Sequence, residues 1–348
     1  PDAGVRTIAA DQSQPQTWYV GAGSTLFRSL NDGESFESIN AFPDETVEVI
    51  QAHPDRPGFL AVVTSMPSGT ESRVYISQNC GETWEFTPYT LGFVARDIAW
   101  VPRKNQPVLL LASDVGLFEL IALPGGGLNQ IVVKTDDQDL GFYAVTASTY
   151  GADGVNVAVA AQKSSGVFLS SDGGATRTFR DIGLHGEDIR ELAVQVIGTR
   201  SFLWAGAAAT GGEDGKGCFR WELRGSDDDP LKFQPVSKGW KGGSCRGLAF
   251  HGSWVFAASH RGGVLRLDTS ASSPEWIMPD INCGLPLRDA GRFHIVDTVA
   301  SDSQARLLMA GGIVGVFRSS DEGEHYASVS QREFVERVTL PQPSLFTC

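Results

Sequence analysis

A short signature returns seven times along this chain: a small residue, an aliphatic one, an aromatic or aliphatic one, a variable position, and often a serine. The copies are Thr25-Leu26-Phe27-Arg28-Ser29, Arg73-Val74-Tyr75-Ile76-Ser77, Gly116-Leu117-Phe118-Glu119-Leu120, Gly166-Val167-Phe168-Leu169-Ser170, Gly217-Cys218-Phe219-Arg220-Trp221, Gly263-Val264-Leu265-Arg266-Leu267 and Gly315-Val316-Phe317-Arg318-Ser319. Their spacing averages about 48 residues. A fixed period of this length marks a repeat architecture in which each unit must stack on its neighbours to bury its apolar faces.

Each copy follows two further apolar runs. The nearer run is short and rich in small and β-branched residues, as in Trp18 to Gly23, Val108 to Ala112, Val157 to Ala161, Phe202 to Gly206, Trp254 to Ala258 and Leu307 to Gly311. The farther run covers Val5 to Ala10, Val47 to Ala52, Arg96 to Val101, Tyr143 to Ser148, Leu192 to Ile197, Arg246 to Phe250 and Ile295 to Ala300. Short apolar runs bounded by turn residues read as strands, and a fourth, outermost strand is expected after each signature. Four short antiparallel strands repeated seven times predict an all-β, seven-bladed β-propeller. A helical solenoid would need 3.6-residue periodicity, and a sandwich would not repeat one unit seven times. The 40 glycines among 348 residues, nearly twice the usual share of about 7%, agree with a turn-rich chain. Although the length alone suggests about two domains, the repeats account for residues 1–348 as a single ring. The segment Val335 to Gln342 resembles an eighth inner run. It predicts that 335–348 either completes a blade or begins a linker.

After the signature, four repeats continue as Ser-x-Asp/Asn-x-Gly: Ser29, Asn31, Gly33; Ser77, Asn79, Gly81; Ser170, Asp172, Gly174; and Ser319, Asp321, Gly323. Three end in an aromatic residue, Phe36, Trp84 and Tyr326, whereas Arg177 stands there in the fourth repeat. In these residues the chain resembles the Asp-box, or BNR, repeat β-propellers, a family that includes sialidases, sortilin-type receptors, xyloglucan-degrading hydrolases and photosystem assembly factors. The resemblance covers nearly the whole chain and implies four-stranded antiparallel blades with Asp-box hairpins. Physically the motif explains itself as scaffold. The Asp or Asn and the Ser accept backbone hydrogen bonds, Gly supplies a positive φ, and the aromatic packs beneath the outer strands.

The same resemblance implies a ligand face built from the turns between second and third strands. The expected binding residues there are Asp114, Lys163, Glu213, Asp214, Lys216, His260 and Arg261. Trp240, between Lys238 and Lys241, is a further candidate as an exposed aromatic that would stack on a sugar or anchor a protein. Ala112-Ser113-Asp114-Val115-Gly116 resembles the xyloglucanase segment that bears a catalytic aspartate, which makes Asp114 the candidate catalytic residue, with turn formation as its alternative role. No second carboxylate answers it, and glycoside hydrolysis generally uses two. The arginine triad and the Arg-Ile-Pro element of sialidases are also missing.

Composition narrows the remaining choices. A net charge of −13 argues against nucleic acid as a partner, and no apolar run approaches the ~20 residues of a membrane span, so a soluble chain without membrane insertion is expected. The chain opens on Pro1 rather than Met, as expected of a processed or excised chain. Five cysteines, Cys80, Cys218, Cys245, Cys283 and Cys348, leave one or two disulfides open but exclude a full framework. His53, His185, His251, His260, His294 and His325 lack metal-ligand spacing, Asp227-Asp228-Asp229 reads as a solvated loop, and neither a cofactor nor a metal is expected. The sequence therefore points to a non-catalytic scaffold that binds protein within a larger assembly. The alternative is a secreted glycan-binding or glycoside-hydrolase-like propeller.

Overall fold

The computed structural model describes residues 4–84, 89–102, 108–122, 128–133, 140–150, 154–174, 179–211, 213–223, 233–289, 291–302, 304, 306–329 and 334–336. Every regular element among them is a β-strand. Seven antiparallel sheets follow one another along the chain, and in each the strands lie in sequence order from the centre outward. The inner strands of blades 1 to 7 are Val5–Ala10, Thr46–Ala52, Ala95–Val101, Phe142–Tyr150, Ile189–Ile197, Cys245–His251 and Val296–Asp302. They surround a central channel of about 860 Å3, lined by residues of all seven. The fold is a seven-bladed β-propeller, as the repeat period predicts.

The core is divided among the blade interfaces. Among the described residues seven apolar clusters occur, and each joins two neighbours: Val62 and Leu60 of blade 2 meet Tyr19 and Leu26 of blade 1, for example, and Leu110 of blade 3 meets Val157 and Val159 of blade 4. Second strands are therefore covered on both faces. Leu60–Ser65 is buried along almost its whole length, which is why its sequence lacks the alternation of a half-exposed strand. Each large side chain enclosed in this way contributes about 1.5–3 kcal/mol.

Ring closure uses the same packing. Val5, Ile8 and Trp18 of blade 1 share a cluster with Leu307, Met309 and Val316 of blade 7. Both terminal blades are built from their own four consecutive strands. The short strand Phe334–Glu336 runs parallel to Phe36–Ala41 and adds a fifth strand outside blade 1. Residues 337–348, which complete the segment expected to close the ring or begin a linker, lie outside the described residues.

The Ser-x-Asp/Asn-x-Gly hairpins are nearly superimposable in their bonding. Ser29 Oγ donates to Asn31 Oδ1 (2.8 Å) and accepts the Gly33 amide (2.9 Å), while Asn31 Oδ1 accepts the Ser35 amide (3.0 Å). The equivalent amide bonds onto Ser77, Ser170 and Ser319 measure 2.9, 2.9 and 3.0 Å. Two successive left-handed residues make the turn, as at Asp32 (φ 57°) and Gly33 (φ 73°). Phe36 and Tyr326 are buried beneath it. In the fourth blade Arg177 is outside the described residues, and the aromatic comes two positions later. Phe179, 1% exposed, lies 3.7 Å from where a Gly174 Cβ would sit, the same spacing as Phe36 from Gly33.

The fourth position of the signature, variable in sequence, links hairpins across blades. Arg28 Nη1 donates to the Cys80 carbonyl of blade 2 (3.3 Å), Arg318 Nε to the Asp32 carbonyl of blade 1 (2.8 Å), and Arg266 Nη2 to Glu324 of blade 7 (2.9 Å). Blade 6 departs from the others. Its fourth strand shrinks to a single bridge between Arg266 and Ile277, and a hairpin of Leu287–Asp289 with Arg292–Phe293 precedes blade 7.

Candidate functional site

All seven inner strands carry a β-bulge near their start. The residues skipped in the pairing are Arg6, Glu48, Arg96, Tyr143, Arg190, Arg246 and Asp297. A bulge sets two residues opposite one, bends the strand and re-aims a side chain. Here the device is repeated around the axis, and all seven residues line the channel. They mark the end where second strands turn into third strands, since Val5 pairs with Ala22 and Ile189 with Ala207. The channel mouth and the turn face expected to bind ligands are thus one surface.

Four arginines, a tyrosine and two carboxylates form this ring on a chain of net charge −13. Two pairs bridge adjacent blades: Arg6 Nη1 to Glu48 Oε2 at 2.7 Å and Arg246 Nη2 to Asp297 Oδ1 at 2.6 Å. The Arg190 guanidinium lies 3.6 Å over the Tyr143 ring and donates two bonds to Asp188 (2.7 and 2.9 Å). Arg96 is exposed and makes no side-chain hydrogen bond or ion pair among the described residues. Exposed ion pairs are worth about 0–1 kcal/mol, so the paired arginines can exchange partners at little cost.

The position after the bulge forms a second layer. Thr7 Oγ1 accepts the Ile50 amide (3.1 Å), and Asp97 Oδ2 accepts the Val145 amide (2.9 Å), each reaching the next blade's inner strand two residues past its bulge. Asp97 Oδ1 also accepts the Ile98 amide (2.8 Å). Burial pushes the Asp97 carboxyl up to about 7 against the pull of these two donors. Glu191 holds the same position in blade 5. Its carboxyl is raised well above the usual range, first by burial and then by the Asp97 charge and the Cys245 thiol. These two acids stand on blades 3 and 5, with blade 4 between them. Cys245 Sγ lies 3.8 Å from Cys218 Sγ, and Cys80, Cys218, Cys245 and Cys283 are all free thiols.

The residues expected from sequence fall into three groups. Asp114 is half-buried in the blade 3 turn, where its Oδ1 accepts the Val94 amide (3.2 Å) and its own amide donates back to the Val94 carbonyl (3.2 Å). Lys163, Glu213, Asp214, Lys216 and His260 are exposed on the turn face, with Lys216 paired to Glu187 (2.6 Å) and Asp214 3.4 Å from Arg261. Trp240 corrects the expectation. It is 5% exposed, its indole N–H donates to the Gly243 carbonyl (2.9 Å), and its ring meets Trp276 edge-on at 5.1 Å. Left-handed backbone at Gly239 (φ 78°) and Gly243 (φ 73°) turns the ring inward while Lys238 and Lys241 stay outside.

Asp227-Asp228-Asp229 lies outside the described residues. Asp321, Glu324 and His325 approach within 4.8 Å, but Asp321 binds the His325 ring as part of its hairpin (2.8 Å) and Glu324 pairs with Arg266. The bulge ring itself is absent from the sequence reading. A charged or aromatic residue near the start of each otherwise apolar inner run was its available signal.

No protein family and no curated protein sequence matches the chain. Solved structures match its fold. The GH74 xyloglucanase from Xanthomonas campestris aligns with TM-score 0.66 and 13% identity over 92% of this chain and 52% of its own, so the chain spans about half that enzyme's length. YCF48 from Cyanidioschyzon merolae aligns with TM-score 0.62 and 12% identity over 90% of this chain and 94% of its own. A structure of YCF48 bound to D1 peptide aligns with TM-score 0.57 and 11% identity over 90% and 92%. At these identities the likeness concerns the fold.

Proposed function

We propose that the chain is a non-catalytic propeller of the Asp-box kind that binds a protein partner within a larger assembly, using the channel mouth and the turns around it. The observation that carries this reading is the bulge ring. One backbone device, repeated seven times, presents a ring of charged and aromatic side chains that includes four arginines on an acidic chain. Arginine forks suit carboxylates and polar main chain, and arginine and tyrosine are favoured anchors at protein interfaces. The turn face adds exposed Val115, Ile313 and Val314, which give the apolar contact that such an interface requires. Support also comes from YCF48, a propeller of similar length whose structure has been determined with a D1 peptide bound.

Affinity capture from extracts of the source cells tests the reading, with wild type compared against Arg96→Gln/Arg190→Gln. The expected outcome is a partner retained by wild type at least about tenfold better than by the variant, since loss of two charge-assisted contacts costs more than 1.4 kcal/mol. Equal recovery would overturn the assignment of the ring. The glycoside-hydrolase alternative rests on the xyloglucanase fold and on the raised carboxyls of Asp97 and Glu191. Release of oligosaccharides from xyloglucan, abolished in Asp114→Asn or Glu191→Gln, would establish it in place of the scaffold reading.

A further inference from the structure

A second cavity, of about 610 Å3, opens on the turn face between blades 5, 6 and 7, and it shares no lining residue with the channel. Its volume lies within the roughly 300–1,000 Å3 typical of small-ligand sites. Arg261, Arg288 and Arg292 line it with His260 and His294, against the carboxylate of Glu213 in the lining and that of Asp214, 3.4 Å from Arg261. Three arginines therefore line one concavity in a chain of net charge −13.

The arginines are differently held. Arg261 is fixed: its amide donates to the Gly242 carbonyl (3.1 Å), Asp214 lies 3.4 Å from Nη2, and a Cβ on Gly243 would stand 3.3 Å from its Nε. Gly243 is left-handed (φ 73°), so both its backbone and its missing side chain favour glycine there. Arg288 and Arg292 sit on the two strands of the small hairpin before blade 7, where Asp289 pairs with Arg292 and Leu287 with Phe293. Both are exposed and make no side-chain hydrogen bond or ion pair among the described residues. Beside these charges the cavity is apolar. Phe293 is buried in its wall, and Ile313, 65% exposed, stands at its edge.

We propose that this cavity binds a small organic anion, a carboxylate carried on an apolar body. The carboxylate sits among Arg261, Arg288 and Arg292, where planar forks can hold both oxygens, and the body lies against Phe293 and Ile313. The site shares Ile313 with the turn face assigned to the partner, but none of its arginines belongs to the bulge ring, so separate variants test the two readings.

The test titrates the full chain with three probes, 4-phenylbutyrate, 4-phenylbutanamide and inorganic phosphate, read by calorimetry or by NMR shifts. The expected result is saturable binding of 4-phenylbutyrate about tenfold tighter than either other probe, weakened severalfold at about 0.5 M NaCl. In Arg288→Gln/Arg292→Gln the acid should fall to the affinity of the amide while the amide is unchanged. Equal affinity for acid and amide in the wild-type chain would overturn the proposal, as would acid binding that survives the double variant. Phosphate binding as tight as the acid would leave no role for the apolar wall and would also overturn it. Should the variant melt at a different temperature, the acid-to-amide comparison on the wild-type chain decides alone.

Discussion

The outer hairpins and the inner bulges are both backbone irregularities repeated around one ring, yet their side chains behave in opposite ways. In the hairpins the residues recur: Ser29, Ser77, Ser170 and Ser319 each accept the glycine amide four positions on, at 2.9 to 3.0 Å. In the bulges the backbone recurs in all seven blades while the side chain ranges over arginine, at four of them, glutamate, tyrosine and aspartate. Side chains that repeat are satisfied by their own turn and have no spare bonding to offer. Side chains that vary on a constant frame can be set one by one against a ligand. The carboxylates show the same division. Asp321 is held below its usual range because the His325 amide, the His325 ring and the Ser319 hydroxyl outweigh its burial, whereas Asp97 is pushed up to about 7 because burial outweighs its two amide donors.

The largest effect should come from the hairpin that helps to close the ring. A Cβ on Gly33 would lie within 2 Å of the Met309 methyl, inside the cluster that joins blade 7 to blade 1, and φ there is 73°. Gly33→Ala is expected to cost about 2–3 kcal/mol in chemical denaturation, chiefly left-handed strain, with a smaller part from displacing the flexible end of Met309. A cost below about 1 kcal/mol would mean that the closure is softer than its packing implies.

The Asp97 carboxyl should give the next largest effect, through pH. Its folded value of about 7 stands above the unfolded value near 3.9, so the folded state holds the proton more tightly. Its favourable contribution is complete below pH ~4 and is lost as pH rises through about 7. Asn does not titrate and loses one of the two amide acceptors at every pH. The cost of Asp97→Asn should therefore shrink between pH 5 and pH 8, by about 2 kcal/mol. A cost that is constant across that range would show Asp97 to be ionised throughout, like Asp321.

Ser77→Ala should cost about 1–2 kcal/mol, because Ser77 Oγ accepts the Gly81 amide (2.9 Å) and donates to Asn79 Oδ1 (3.0 Å) in a buried turn. If it costs nothing, the recurrence of serine in the hairpins needs an explanation other than bonding.

The same division explains what could be read from the sequence. Hairpins depend on residue identity, because only certain side chains close such a turn, so Ser-x-Asp/Asn-x-Gly is visible in the letters. The strands show themselves through apolar runs, and the inner strand of blade 2, read as Val47 to Ala52, is Thr46–Ala52. A bulge is a matter of register, and register depends on the neighbouring strand. Arg96 and Arg246 were legible as the first residues of their runs, but not as the residues skipped by the pairing. Trp240 failed for a related reason. Its flanking lysines suggested exposure, while the two left-handed glycines that rotate it inward act through backbone angles the composition does not display. Arg28, Arg266 and Arg318 were hidden in a variable position because their acceptors lie one blade away.

The smallest effect on stability should come from the ring itself, and it gives the comparison its sharpest test. Among the described residues Arg96 has no side-chain partner and Arg190 meets only Asp188 and the ring of Tyr143, which lines the channel. Removing such exposed contacts should change stability by less than about 1 kcal/mol. Arg96→Gln/Arg190→Gln is therefore expected to melt within a few degrees of wild type while losing the retained partner. The hairpin variant Ser77→Ala should do the reverse, with lower stability and an unchanged partner. If the ring variant unfolds as readily as the hairpin variants, the arginines are structural after all. The diversity of the bulges would then reflect only how seven strands satisfy one another around a channel.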